Sequence, residues 1–236
     1  MAILTWDNMG ERGFQTGVNH CVLYPAVRNN ETGVYTYPNG VAWNGVTSIS
    51  ETPDGGDAED FYADNIKYLS LRGVENLNGS ISAYTYPDEF MLCDGSAVFA
   101  AMDGVYLRQQ PRKMFGLSYT SIIGNDVRQE EAFMYHLLYG ATVSPSDREY
   151  STISDSPEPI EFSWDFTTTP VKVGVASGVT PTGADAWRPV SLITIDGSKL
   201  TTAKRTALQE ALWGSENAAA YLPLPAALHT LLMSAT

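Results

Sequence analysis

The segment "EPIEFSWDFTTT" limits what this chain can fold into more than any other. Ile160, Phe162, Trp164 and Phe166 fall on one side of an extended backbone, and Glu161, Ser163, Asp165 and Thr167 fall on the other. A two-residue period belongs to a β-strand with one buried face, and Pro170 ends or offsets it. The same period marks strands at residues 18–24, 41–49, 66–71, 80–85, 171–175 and 190–195.

Two neighbouring runs read as a hairpin. Phe115, Leu117 and Tyr119 share one face, and Met114, Gly116, Ser118 and Thr120 share the other. After a polar tip at residues 125–131, Phe133, Tyr135, Leu137 and Tyr139 alternate with Met134, His136 and Leu138. Both faces of that second strand are largely apolar, the pattern of a strand covered on both sides. One segment has helical spacing instead: Leu200, Ala203, Ala207, Leu208, Ala211 and Leu212 form a stripe, with Thr201 as N-cap and Gly214 as the stop. Many strands with one late helix predict a mainly β fold, an antiparallel β-sandwich or partly closed barrel with a flanking α-helix.

A chain of 236 residues can bury a core without disulfides or metals. We expect one domain over residues 1–224 and a C-terminal arm over residues 225–236, packed on a neighbouring surface. Residues 217–236 carry no Asp, Glu, Lys or Arg, but Pro223 and Pro225 interrupt the run, which argues against a membrane span. The first twelve residues show no basic and apolar leader pattern. Cys21 and Cys93 make no metal-ligand spacing and read as free buried thiols of a protein made in the cytoplasm.

Charge excludes one class of partner. Asp and Glu number 27 against 14 Lys and Arg, a net −13, which opposes general affinity for phosphate backbones. No nucleophile elbow, zinc-protease motif, phosphate loop or C-x-x-C is present, so no enzyme activity and no cofactor are expected. His136 lies inside an apolar strand and reads as a hydrogen-bonded core residue. Asp88 and Glu89, after Pro87, read as a polar turn rather than a glycosidase carboxylate.

Two charged stretches stand out as candidate contact sites. Glu51, Asp54, Asp57, Glu59, Asp60 and Asp64 crowd into fourteen residues without a base, a mobile acidic loop suited to docking and lacking calcium-loop spacing. Residues 104–125 contain no carboxylate, and Arg108, Arg112 and Lys113 lie close together there. Three cations are too few to hold nucleic acid on so acidic a chain. Their expected partners are carboxylates of the same or an adjacent subunit.

The ordered blocks "NGVAWNGVTSISETPDG", "FYADNIKYLSL", "AYTYPDEFMLCDGS", "RKMFGLSYTSIIGND", "HLLYGATVSPSDREYSTISDSPEPIEFSWDFTTTPV" and "LITIDGSKL" resemble the major tail proteins, or tail tube proteins, of bacteriophages with long non-contractile tails. The likeness runs from about residue 4 to residue 224. It implies a structural virion protein, with a β-sandwich and flanking helix, whose hexameric rings stack into a hollow tube. Genomic DNA would pass through the lumen without specific binding. The implied partners are further copies of the chain and other tail proteins: tape measure, tail tip and terminator. The acidic residues 51–64 would then lie at a ring-to-ring junction. A competing expectation is a carbohydrate-binding β-sandwich of the tail or baseplate, which the five Trp and 13 Tyr could serve.

Overall fold

A computed structural model describes residues 6, 8–100, 102, 104–146, 148–150, 152–153, 155, 159–174 and 187–235. In chain order the first half contains β1 (Gly13–Pro25), β2 (Val27–Arg28), β3 (Tyr35–Thr36), β4 (Val41–Ala42), β5 (Val46–Gly55), β6 (Ala58–Ala63), β7 (Ile66–Arg72) and β8 (Glu75–Ala83). There follow α1 (Met91–Asp94), β9 (Ala97–Val98), β10 (Tyr106–Leu107), β11 (Phe115–Asn125), β12 (Ala132–Val143), β13 (Phe162–Thr168), β14 (Leu192–Asp196), α2 (Thr202–Trp213) and α3 (Pro225–Ser234).

The main sheet is antiparallel, in the order β4-β1-β11-β12-β13-β8-β5, with β14 beside β12. Its bend comes from one glycine. β12 pairs with β14 from Met134 to Leu138, then with β13 from Ala141 to Val143. Between these stretches the β11 register slips, since Leu117 faces Leu138 but Phe115 faces Ala141. Gly140 sits at this bulge with φ +64°, and a Cβ there would lie 2.1 Å from the Thr169 carbonyl oxygen. Only glycine fits. The extra residue changes which face the later side chains take. Tyr135, Leu137 and Tyr139 point to one core, while Ala141 and Val143 point to the other.

The result is a sandwich in which β1, β11, β12 and β14 form one layer and β5, β8 and β13 the second. Leu23, Ile81, Phe115, Leu117, Leu138, Trp164 and Phe166 fill the space between them, with Trp43 and Phe90 closing one end. Both buried indoles satisfy their N–H groups: Trp43 donates to the Thr85 carbonyl at 2.8 Å and Trp164 to Asp94 Oδ1 at 3.1 Å. The sheet does not close into a barrel, because β4 and β5 remain its two ends.

The outer face of the first layer is covered by helices. Tyr24, Tyr135, Leu137 and Tyr139 pack with Leu208 and Leu212 of α2, Leu222, and Leu228 of α3. The tyrosine hydroxyls are used: Tyr24 donates to the Leu212 carbonyl (2.6 Å), Tyr139 donates to the Pro223 carbonyl (2.8 Å), and Tyr135 accepts from Gln209 (2.8 Å). Helix α2 starts where expected, with Thr201 Oγ1 accepting from the Lys204 amide, and Gly214 ends it. The double covering expected for β12 follows from this three-layer arrangement.

Several expected boundaries shift. Residues 41–49 form two strands, because Trp43 turns into the core and Gly45 takes φ +80°. Val171 makes a single bridge with Val190 rather than a strand over 171–175, and residue 175 lies outside the described residues. Residues 225–236, expected as an arm on a neighbour, are helical over Pro225–Ser234 and pack on their own chain through Leu228. Residues 51–64 are not a loop. Glu51 to Gly55 extend the β5 ladder against β8, and Ala58 to Ala63 form β6.

Candidate assembly surface

Among the described residues β6 and β7 pair only with each other, and Asp64 and Asn65 turn between them with φ +51° and +62°. Two consecutive left-handed residues make the tight turn that suits a twisted hairpin. Gly55 and Gly56, at φ +80° and +76°, join this hairpin to the β5–β8 ladder. Every residue from 57 to 76 is exposed. The hairpin is thus an arm projecting from the sandwich, and it carries Asp57, Glu59, Asp60 and Asp64, with Glu51 and Asp54 at its root.

Its exposed residues are not only acidic. Tyr62, Ile66 and Tyr68 are 70, 65 and 70 % exposed, and Phe61, Leu69, Leu71 and Val74 are also uncovered. The register sets Phe61 opposite Leu69 and Glu59 opposite Leu71, so one face of the arm holds three apolar side chains beside a carboxylate. Its own ion pair is Lys67 with Asp60, at 2.7 Å, and that pair with Ser70 holds the exposed Asp60 carboxyl below its ordinary range. A lone two-stranded ribbon is marginal in water, and this one buries no apolar side chain. A groove of about 920 Å³, lined by Glu51, Pro53, Arg72, Val74, Pro170 and Arg188, opens at its root.

The second charged stretch lies elsewhere on the molecule. Backbone bonds from Gln110 to Gly95 (2.9 Å) and from Lys113 to Leu92 (3.0 Å) fix it against α1. Arg108 and Lys113 are exposed and Arg112 is half-buried. None of the three forms an ion pair among the described residues, and Arg112 Nε is enclosed without a hydrogen-bond partner. The expected carboxylate partners within the same chain are therefore absent among the described residues. Next to these cations, the β9–β10 hairpin leaves Val98, Phe99, Tyr106 and Leu107 exposed.

A polar constellation that the sequence did not announce ties the arm's root to the core. Glu51 of β5 accepts a hydrogen bond from the Tyr119 hydroxyl of β11, and its Oε1 lies 3.3 Å from His136 Nδ1 of β12. His136 Nε2 is 3.2 Å from Ser121 Oγ, and its ring stacks on Tyr119 with centroids 4.6 Å apart. The His136 ring, and after it the Tyr119 hydroxyl, hold the Glu51 carboxyl below its usual range against the opposing effect of burial. Serine, imidazole and carboxylate stand in the order of an acyl-transfer triad. Here, however, Tyr119 and His136 share the carboxylate, and Ser121 is a ladder residue opposite Met134 within the strand pair. The cluster fastens β5 to the hairpin layer. No sequence signal placed these residues together, because they come from three separate strands.

Other candidate chemistry is used structurally. Asp94 pairs with Arg148, whose guanidinium also lies 5.5 Å from the Tyr86 ring centroid and 5.2 Å from that of Phe162. Asp88 and Glu89 form the 3-10 turn Asp88–Phe90. Trp43 and Trp164 are buried, so neither offers a platform for a sugar ring. Among the described residues, no helix is long and apolar enough to cross a membrane, and no cluster of His, Cys, Asp or Glu is placed to hold a metal ion. No known protein-family profile and no curated protein matches this chain, so its functional reading rests on its geometry and on the ordered sequence blocks.

Proposed function

We propose that this chain is a structural subunit that self-assembles into the hollow tail tube of a phage with a long non-contractile tail. The observation that carries the reading is the arm of β6 and β7: an acidic ribbon with exposed apolar side chains, built on a well-packed sandwich. Burying such a ribbon on a second copy covers its apolar surface and its free strand edges together. A contact between the arm and a different surface of the next copy is head-to-tail. Repeated about an axis, it generates rings, and along the axis it generates stacks.

The charge of the chain fits a conduit for DNA. A net −13 per subunit, multiplied around a hexameric ring, repels a passing duplex instead of binding it. In this reading the protein resides in the virion and meets the tape measure, tail tip and terminator proteins. Negative-stain electron microscopy of the concentrated full chain tests the proposal. Uniform hollow rods or rings support it. A chain that stays monomeric at every concentration, and also beside a preformed tail tip, defeats it.

A further inference from the structure

We infer that the arm of one copy docks on the β9–β10 hairpin and the adjoining basic loop of another copy. This pairing rests on the assembly reading and names both halves of the contact. The arm offers Glu59, Phe61, Leu69 and Leu71 on one face. The receiving surface offers exposed Val98, Tyr106 and Leu107, then Arg108, Arg112 and Lys113. Apolar residues flanked by carboxylates face apolar residues flanked by cations.

Two facts single out a second copy as the occupant. The three cations have no ion-pair partner among the described residues of their own chain. On an acidic chain, an unpaired basic surface beside exposed apolar side chains is an incomplete one. The complementary acidic and apolar surface is on the same polypeptide, so every added copy supplies it. The loop's backbone is also fixed before contact, by its bonds to Gly95 and Leu92. Charge pairs at the edge of such a contact govern approach and register, and the apolar centre supplies most of the hold.

Charge reversal tests the pairing. One variant carries Arg108→Glu and Lys113→Glu, a second carries Asp57→Lys and Glu59→Lys, and a third combines all four. Each changes only exposed residues, and circular-dichroism melts check that folding is kept. Assembly is followed by sedimentation velocity and electron microscopy from low to high salt. The first two variants are expected to need at least about tenfold more protein to assemble, a loss of about 1.4 kcal/mol per contact. The combined variant recovers, and so does an equimolar mixture of the first two, whose arms and receiving surfaces are complementary in both directions and assemble in alternation. Rods that form from both reversal variants as readily as from the wild type overturn the pairing and leave the assembly reading standing. So does failure of the combined variant to recover while each wild-type control assembles. Binding of a short DNA duplex to the wild-type loop, lost on reversal with assembly unchanged, likewise overturns it. A wild-type chain that never assembles overturns both.

Discussion

Replacing Tyr119 with Phe isolates the contact that fastens the arm's root. The ring is 6 % exposed and stacked on His136, and Phe keeps both its volume and its stack. What is lost is one hydroxyl donor to the Glu51 carboxylate. Hydrogen bonds to charged groups contribute about 1.5–3 kcal/mol. The Glu51 side chain is 33 % exposed, so water replaces part of the donor, and the loss belongs near about 1.5 kcal/mol. For a domain of this size that lowers Tm by roughly 3–6 °C. Urea unfolding at pH 7 measures it, and a double-mutant cycle with Glu51→Gln apportions it. In the Glu51→Gln background the Tyr119→Phe cost should fall below about 0.5 kcal/mol. The pH dependence has a definite sign. The folded Glu51 carboxyl titrates below its usual value of 4.5, so the unfolded chain binds its proton first. Its stabilisation is complete above that usual value and disappears as pH falls through the lower folded one. The gap between wild type and Tyr119→Phe should therefore narrow below about pH 4.5, against a constant background from other carboxylates. An equal cost in both backgrounds, or a gap unchanged at about pH 3, would refute the tether.

Three further outcomes follow from the packing. Gly140→Ala forces a β-carbon against the Thr169 carbonyl in a left-handed conformation and should cost about 3 kcal/mol or more in thermal melts, or prevent folding. Arg148→Met leaves the partly buried Asp94 carboxylate without its ion pair and should cost about 1–3 kcal/mol in urea, whereas Asp94→Asn, which still accepts from Trp164, should cost less. Cys21 and Cys93 are buried, and burial pushes the Cys93 thiol up to about 12, so neither should react with a disulfide reagent at pH 8 until the protein is unfolded.

The parts of this fold that were legible in the sequence are those that pack against the same chain. β13 announced its buried face because Phe162, Trp164 and Phe166 meet the opposing layer while Ser163, Asp165 and Thr167 meet water. The unbroken apolar run of β12 reported a strand enclosed by two layers, and the caps of α2 were written in Thr201 and Gly214. The switch at Gly140 was hidden, because a single glycine in a strand does not say which way the bulge turns. The Glu51–His136–Ser121 cluster was hidden too, since it arises only when β5 crosses the β11–β12 pair.

The arm was misread for a different reason. Asp, Gly and Pro between residues 51 and 64 carry the usual signature of a loop, and among the described residues the apolar side chains after them meet no core that would impose a period. Intramolecular packing selects alternation, one face inward and one outward. A ribbon whose two faces lie outside the core is released from that selection, and mixed charge and aromatic content results. Arg108, Arg112 and Lys113 follow the same logic on the proposed receiving side: among the described residues none of them forms an ion pair within its own subunit. The two stretches that a single copy leaves unexplained are each other's complement, which is the physical reason to treat both as one interface.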